Sequence, residues 1–339
     1  MSSVEELRLS VVVPFHDNPG QLELSLAALK ASSIEFELIC VDDASRDARA
    51  IEAAQRATPQ CLRLERNSGP AVARNAGARI ASGDVLVFVD SDCVVTPRTL
   101  EQMRAALSAE PTAAALFGSY DDSPASPGLV TEYRNLLHHW THHNGPREAS
   151  TFWAGCGAIR KSAFDAVGGF DERYRRPSIE DIELGMRLRA AGHRILLLPQ
   201  IQCKHLKRWR LLDMIAVDVT KRAIPWTRLL IERPGVGGDL NLEWKQKLCV
   251  VLVFAALAWL PASLTLAWMA LLNPWWGVAS LALLAPVLWI NRGLYGLFAR
   301  RRGLRFMLGA IPLHLLYFVY GGLAFAWTKA THRPGKASA

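Results

Sequence analysis

Val85-Leu-Val-Phe-Val-Asp-Ser-Asp92 is the stretch from which the rest of this chain can be read. Its five apolar residues are β-branched, branched or aromatic and leave no polar face, which suits a strand of a parallel sheet covered on both sides. The run ends in two carboxylates one residue apart. In open α/β sheets ligands bind outside the carboxyl ends of the strands, so Asp90 and Asp92 stand where a site is expected. Acids this close repel each other unless a cation or a set of donors lies between them, and hard divalent cations prefer oxygen ligands. An isolated Asp-Ser-Asp is also an ordinary turn. The flanking sequence has to decide.

The flanks repeat the pattern. Leu9 to Pro14 reads as a strand, followed by turn formers to Gly20 and an amphipathic run from Gln21 to Ala31. Phe36 to Val41 is a second strand that ends in Asp42-Asp43-Ala44-Ser45. A helix from Ala48 to Ala57, a strand from Cys61 to Glu65 and a helix from Pro70 to Ala81 lead into the Val85 strand. Strand and helix alternating at this spacing give βαβ units with right-handed crossovers. Two strands ending in acid pairs at one sheet edge point to a polar ligand. Neither the Walker pattern nor G-x-G-x-x-G is present, so a phosphate here must be neutralised by other means.

Further on, Thr96-Pro97 opens a helix to about Glu110, and Ala113 to Tyr120 is a strand. Leu136 to His143 holds four histidines at helical spacing, but no nearby cysteine or carboxylate completes a zinc set. Ser178-Ile-Glu-Asp181 heads an amphipathic helix from Ile182 to Ala191, and Ser178 with Asp181 fits a capping box. Arg194 to Leu198 and Gln200 to His205 read as two more strands.

The chain has 339 residues, a formal charge of +8 and 21% charged residues, unevenly spread. Up to about Lys247 it reads as soluble, and beyond that long apolar runs dominate. The basic balance admits anionic lipid, phosphate or nucleic acid as partners. Six cysteines without a CxxC pair, mostly in apolar settings, suit reduced buried thiols. Met1 to Arg8 has no apolar core, so no cleaved signal peptide is expected. Leu211 to Ile231 mixes basic, aromatic and apolar residues as a helix in the headgroup region would, bent at Pro225. Spans are expected at Leu248–Leu272, Trp275–Ile290 and Phe306–Trp327, one of which can be re-entrant, with Arg292, Arg300, Arg301, Arg302 and Arg305 marking a cytoplasmic loop. The expected organisation is a sheet domain over 1–206, interfacial helices over 207–247, a transmembrane region of about three spans over 248–330, and a tail over 331–339.

Taken together, Ser10-Val-Val-Val-Pro-Phe, Val41-Asp-Asp-Ala-Ser, Asn67 through Gly77, Gly83 through Asp92, Gly168-Gly-Phe-Asp-Glu172 and Ile179 through Gly192 resemble the family 2 glycosyltransferases in order and spacing. The resemblance covers roughly Leu9 to His205. It implies the GT-A nucleotide-diphospho-sugar transferase fold, an α/β architecture with a mostly parallel central sheet flanked by helices, here followed by C-terminal transmembrane helices. Pro14, Asp42 and Asp43 would lie against the base and ribose, with Asp43 the better candidate for the base, and Arg74 near the nucleotide. Asp90-Ser91-Asp92 matches the family's DxD. Asp92 would hold Mg²⁺ or Mn²⁺, Asp90 would reach the ribose or the metal shell, and His205 would complete that shell. Gly155 and Gly157 would line the donor sugar pocket, and Arg208 and Trp209 would lie near acceptor or diphosphate. Asp181 would be the base that takes the acceptor hydroxyl proton, with Glu180 holding acceptor or loop. The full Gln-x-x-Arg-Trp motif of processive synthases is not present.

The implied activity is metal-dependent, inverting transfer from a nucleotide-diphosphate sugar to a membrane-associated, lipid-linked acceptor, with the catalytic domain on the cytoplasmic side of a multi-pass inner-membrane protein and no nucleic acid partner. A polysaccharide acceptor is the alternative within this class. A nucleotidyltransferase would leave the Glu-Asp helix unexplained. A non-catalytic nucleotide-sugar binder or membrane scaffold is a third class, against which the joint presence of Asp92, Asp181 and His205 counts.

Overall fold

The computed structural model describes residues 6–233, 244–269 and 273–332. In chain order the first part forms β1 (Leu9–Phe15), α1 (Pro19–Lys30), β2 (Glu37–Asp42), α2 (Ala48–Ala57), β3 (Cys61–Arg63), α3 (Pro70–Ile80), β4 (Val85–Val89) and β5 (Cys93–Val95). There follow α4 (Thr99–Ala109), β6 (Ala113–Tyr120), α5 (Leu129–Asn144), β7 (Cys156–Arg160), α6 (Lys161–Ala166), α7 (Glu180–Ala190) and β8 (Arg194–His205). By its contacts the chain divides into two units, one of residues 6–127 and 141–208, the other of 128–140 and the described residues from 209 on.

The first unit is built on one eight-stranded sheet of order β3-β2-β1-β4-β7-β6-β8-β5. β1, β2, β3 and β4 pair in parallel, as the βαβ reading requires, and all five residues of β4 are fully buried. Beyond β4 the sheet becomes mixed: β7 runs antiparallel to both β4 and β6, β6 is parallel to β8, and β5 is antiparallel to β8. One core cluster joins Val11, Val13 and Phe15 of β1 to Leu22 and Leu26 of α1, Val87 of β4 and Leu100 and Met103 of α4. All six cysteines are free, five of them buried, so the reading of reduced thiols stands for the described structure.

Two local expectations are corrected. Arg194 to His205 is one strand, not two; its register against β6 jumps between Phe117↔Leu197 and Ser119↔Gln202. Pro199 has no N–H to give to the ladder, and the bulge it requires passes Gly118, where a Cβ would stand 2.0 Å from the Ile201 carbonyl oxygen. Ser178 is not the N-cap that the capping-box pattern made it: α7 begins at Glu180 with Ile179 in that position. Instead Glu180 Oε2 reaches back to accept from the Ser178 N–H at 2.8 Å.

The second unit is helical. After the start of α5 it contains α8 (Leu211–Val217), a π-helical turn (Asp218–Ala223), α9 (Ile224–Glu232), α10 (Trp244–Trp268), a 3₁₀ turn (Pro274–Val278), α11 (Ala279–Ile290) and α12 (Arg292–Thr331). Pro225 does not end the helical run. Its ring blocks the carbonyl one turn back, and the chain loosens into the π turn just before it. Asp218 in that turn is buried, paired with Arg134 at 2.5 Å and accepting from Tyr320 Oη at 2.7 Å. α10 and α12 are long and apolar enough to cross a membrane, with windows of mean hydropathy 2.2 and 1.6; α11 is an apolar helix of 12 residues. α12 is not continuous: Gly303, at φ 84° and ψ 168°, breaks it. Phe298 meets Phe306 at 5.7 Å and Tyr295 Oη meets His314 Nδ1 at 3.0 Å, so the second leg folds back on the first as a hairpin. The parts of the expected interfacial region and tail at 234–243 and 333–339 lie outside the described residues.

Candidate active site

β2 delivers Asp42 as its last residue, and Asp43 follows, with Asp43 N–H donating to Phe15 O of the neighbouring strand at 2.8 Å. Both carboxylates are buried, and they are used differently. Asp43 Oδ1 and Oδ2 accept from the backbone N–H groups of Ser68 and Gly69 at 2.7 and 2.8 Å, which fixes the loop that opens α3. Gly69 sits there at φ 93°, and a Cβ would meet the Arg175 backbone at 2.5 Å. Asp42 Oδ1 accepts from Ser45 N at 2.7 Å, whereas its Oδ2 is buried without a hydrogen bond, the Arg63 Nε lying 3.5 Å away. Asp42 Oδ2 is thus a closed-off acceptor whose near neighbour is the Arg63 guanidinium. The β1–α1 loop is tied to the same place: Asp17 Oδ1 accepts from the N–H groups of Arg46 and Asp47, and His16 Nδ1 lies 2.8 Å from Asp43 O. Asp17, Asn18 and Ala44 all hold positive φ, so this corner is wound tightly by backbone bonds. Pro14 is buried inside β1, opposite Val41.

β4 delivers the second acid pair. Asp90 N–H donates to Gly155 O at 3.2 Å, and its carboxylate accepts from Arg74 Nη2 at 2.7 Å. Arg74, almost wholly buried in α3, donates through Nη1 to Glu180 Oε1 at 2.9 Å and lies 5.3 Å from the Phe170 ring. One guanidinium therefore fastens the end of β4 to the first residue of α7. Burial works against its charge, but Asp90, Glu180 and Asp181 more than compensate and hold it protonated. The same burial, with the charge of Asp92, pushes the Asp90 carboxyl up from its ordinary range despite Arg74.

Two residues on, the sheet itself brings in His205. β5 pairs with the end of β8 so that Cys93 stands opposite His205, and Leu206 N–H donates to Asp92 O at 2.9 Å. His205 Nε2 lies 3.4 Å from Asp92 Oδ2, and its ring stacks on Tyr120 at 4.3 Å. Burial raises the Asp92 carboxyl, but the bond from His205 and its charge, with Lys207, outweigh it and hold Asp92 below the usual carboxylate range. A part-exposed carboxylate and an imidazole side by side offer one oxygen and one nitrogen to a hard divalent ion, which keeps waters and takes phosphate oxygens for the rest of its shell. The donor set fits Mg²⁺ or Mn²⁺ shared with a diphosphate. Among the described residues no group of three such side chains forms a closed cage, and Asp90 is turned to Arg74.

Asp181, the second residue of α7, is partly buried. Its Oδ2 accepts from Ala154 N at 3.2 Å and its Oδ1 from Ile182 N at 2.8 Å. Burial, followed by the negative charge of Glu180, drives its carboxyl up to about 7. Ala154 belongs to the segment before β7, whose glycines admit bulky neighbours: a Cβ on Gly155 would touch the Trp153 ring at 2.5 Å, and one on Gly157 would stand 2.4 Å from Trp153 O. Trp153 packs edge-on against Tyr120 at 4.9 Å. The structure therefore brings Asp90, Asp92, Glu180, Asp181, Arg74, His205 and the Gly155–Gly157 segment into one bonded set. Arg208 is exposed just beyond β8. Trp209 is not in this set; it is buried in the second unit with Tyr133 and Met214, its N–H on Thr131 Oγ1 at 3.0 Å. The histidines of α5 form no site: His142 Nδ1 lies 2.8 Å from Gly118 O, and its ring packs on Phe117. Sequence reasoning missed Tyr120 and Trp153 as the wall behind His205, although Trp153 beside two glycines was a visible signal.

Comparison with known proteins agrees with this geometry. The model of glycosyl transferase family 2 matches residues 10–168, and that described as the N-terminal domain of galactosyltransferase matches 134–209. An uncharacterized glycosyltransferase of Haemophilus influenzae is 28% identical over 190 residues, covering 53% of this chain and 61% of its own length. A pre-mycofactocin glycosyltransferase of Mycobacterium tuberculosis is 32% identical, covering 61% of this chain and 44% of its own. The chain thus spans only 61% and 44% of the length of these two relatives. A mannosyltransferase of Pyrobaculum calidifontis, solved with GDP-Man and Mn²⁺, superposes with a TM-score of 0.61 at 17% identity, covering 96% of this chain and 89% of that one, and shares the fold. With its acid-tipped parallel strands, its mixed second half and these matches, the chain has the GT-A fold, and its residues 10–168 match the family 2 glycosyltransferases.

Proposed function

We propose that this protein is a metal-dependent, inverting glycosyltransferase that moves a sugar from a nucleotide-diphosphate donor to a lipid-linked acceptor at the cytoplasmic face of the inner membrane. The observation that carries the reading is the Arg74 fork, which ties Asp90, 16 residues away, to Glu180, 106 residues away, and so supports reading the DxD and the head of α7 as one site. Asp42 and Asp43, at the carboxyl end of β2, hold the nucleoside end. Asp92 and His205 hold the cation, which when bound offsets the charge of the departing diphosphate. Asp181 takes the proton of the acceptor hydroxyl as its oxygen bonds to the anomeric carbon. The bond from that carbon to the diphosphate oxygen breaks, and the configuration inverts. A base raised to about 7 is matched to this work near neutral pH. Glu180 is held by Arg74 and positions the helix end that carries Asp181. The lipid acceptor and the membrane placement rest on the apolar α10 and α12.

The test offers vesicles carrying the full chain a panel of labelled nucleotide sugars with Mg²⁺ or Mn²⁺, followed by lipid extraction. Label is expected in the lipid phase, and chelator abolishes it. Asp181→Asn loses transfer while still binding nucleotide. Transfer undiminished in both Asp92→Ala and Asp181→Asn would remove the assignment, and label confined to water-soluble saccharide would replace the acceptor.

A further inference from the structure

We propose that the tip of the α12 hairpin is a docking site for anionic phospholipid headgroups. This rests on the reading of α10 and α12 as bilayer-embedded. The tip carries Arg300-Arg-Arg-Gly-Leu-Arg305, four cations in six residues at a helix break. Arg302 is turned inward and pairs with Glu132 of α5, which pins the tip to the body of its own unit. Arg300, Arg301 and Arg305 are exposed. On the returning leg Leu304 and Leu308, one helical turn apart, are 67% and 62% exposed. Leu129, 40% exposed, lies against Gly309 and extends this apolar strip, a Cβ on Gly309 standing 3.2 Å from its Cδ2.

Guanidinium groups around large exposed leucines suit a headgroup boundary, where phosphates meet the cations and the leucines enter the acyl edge. A purely polar acidic partner would leave the leucines in water. The occupant is therefore the bilayer that already holds α10. Gly303 makes the geometry available: φ 84° is a conformation that only glycine adopts without strain, and it turns the chain so that the second leg returns. The docked hairpin would fix how far the helices of this unit stand from the headgroups.

The full chain bearing Leu304→Cys is labelled with an environment-sensitive fluorophore and placed in vesicles of phosphatidylcholine alone or of phosphatidylcholine and phosphatidylglycerol at two to one. Unsubstituted chain carried through the same labelling supplies the background from native thiols. Emission at position 304 is expected to brighten and shift to the blue in the anionic vesicles, and high salt reverses it. With about a fivefold factor per arginine near such a surface, Arg300→Gln/Arg301→Gln/Arg305→Gln shifts the docked equilibrium on the order of a hundredfold and returns the emission to its value in neutral vesicles. Equal emission in both vesicle types, or a triple variant that keeps the anionic response, overturns the proposal. Flotation of the same samples separates the two readings: chain that does not float with vesicles refutes the anchoring, whereas chain that floats with an unresponsive label refutes the docking alone.

Discussion

Arg74→Gln removes the guanidinium that donates to Asp90 at 2.7 Å and to Glu180 at 2.9 Å. The carboxylates are then left beside Asp181 without that cation. Breaking a buried ion pair from one side costs about 3–5 kcal/mol. The side chains of Arg74 and Glu180 are nearly closed to solvent, at 5% and 6%, but Asp90 is 32% exposed, so solvent screens that half of the fork. The lower end, about 3 kcal/mol, is the expected loss. For a domain of this size that is a fall in melting temperature of about 6–12 °C. The sign with pH follows from the carboxyls. Asp90 and Asp181 already titrate above their ordinary range in the fold, and losing Arg74 raises them further. A carboxyl raised on folding leaves the folded state unpenalised while both states are protonated, and destabilises it as pH rises past the unfolded value. Parent and variant lose stability alike until the parent's own carboxyls ionise, so the deficit of Arg74→Gln carried by Asp181 is small at about pH 5, where it is protonated in both, and grows from about pH 7 to above about pH 8. Thermal unfolding of the detergent-solubilised chain at both ends of that window measures it, with Arg74→Lys, which keeps the charge but not the fork, expected in between. A variant that melts like the parent above neutral pH, or that loses the same amount at both ends, refutes the clamp.

In the parent, transfer is expected to rise with pH through about 7 as Asp181 deprotonates, and a single-turnover pH profile flat from about pH 5 to 8 would take the base role from it. His205→Ala removes the imidazole 3.4 Å from Asp92 and should raise the Mn²⁺ needed for half-maximal nucleotide binding about tenfold, read by titration calorimetry. Gly157→Ala places a methyl 2.4 Å from the Trp153 carbonyl, where backbone must move, and should cost about 1–3 kcal/mol in denaturant unfolding.

Much of this was legible in the residues because the signals were local. β6 and α2 have the bounds that the sequence reading set, since each is an apolar run or an amphipathic turn bracketed by strong breakers. The acid pairs after β2 and β4 were readable because a buried strand that ends in carboxylates can end only at a rim. What escaped was long-range pairing. Nothing near His205 announces that a bulge at Pro199 re-registers β8 and sets it opposite Cys93. The grip of Arg74 on Asp90 and Glu180 was not legible, because those partners lie 16 and 106 residues away and no local rule connects them. The bonds that Asp43 accepts from the Ser68 and Gly69 amides were not legible either, since they join segments 25 and 26 residues apart. In the second unit, composition showed apolar length but not the Gly303 turn, since a single glycine inside a helical run is usually tolerated.

The charge count of the site explains why its parts are arranged in this way. Asp90, Asp92, Glu180 and Asp181 place four carboxyls in one bonded set, met there by the guanidinium of Arg74 and the imidazole of His205, with Lys207 acting on Asp92. On the reading proposed above, a diphosphate entering this set brings more negative charge and would be repelled unless a dication accompanied it. The fold divides the acids accordingly. On that reading Asp92, held below the usual carboxylate range, is the ionised group that a cation would share, while Asp181, raised to about 7 by burial and by Glu180, holds its proton part of the time. Arg74 pairs with both Asp90 and Glu180 and so offsets the charge that each places beside its neighbouring acid. Exchanging these environments, with the base ionised and the metal ligand protonated, would leave the same residues in place and a site unsuited to either task.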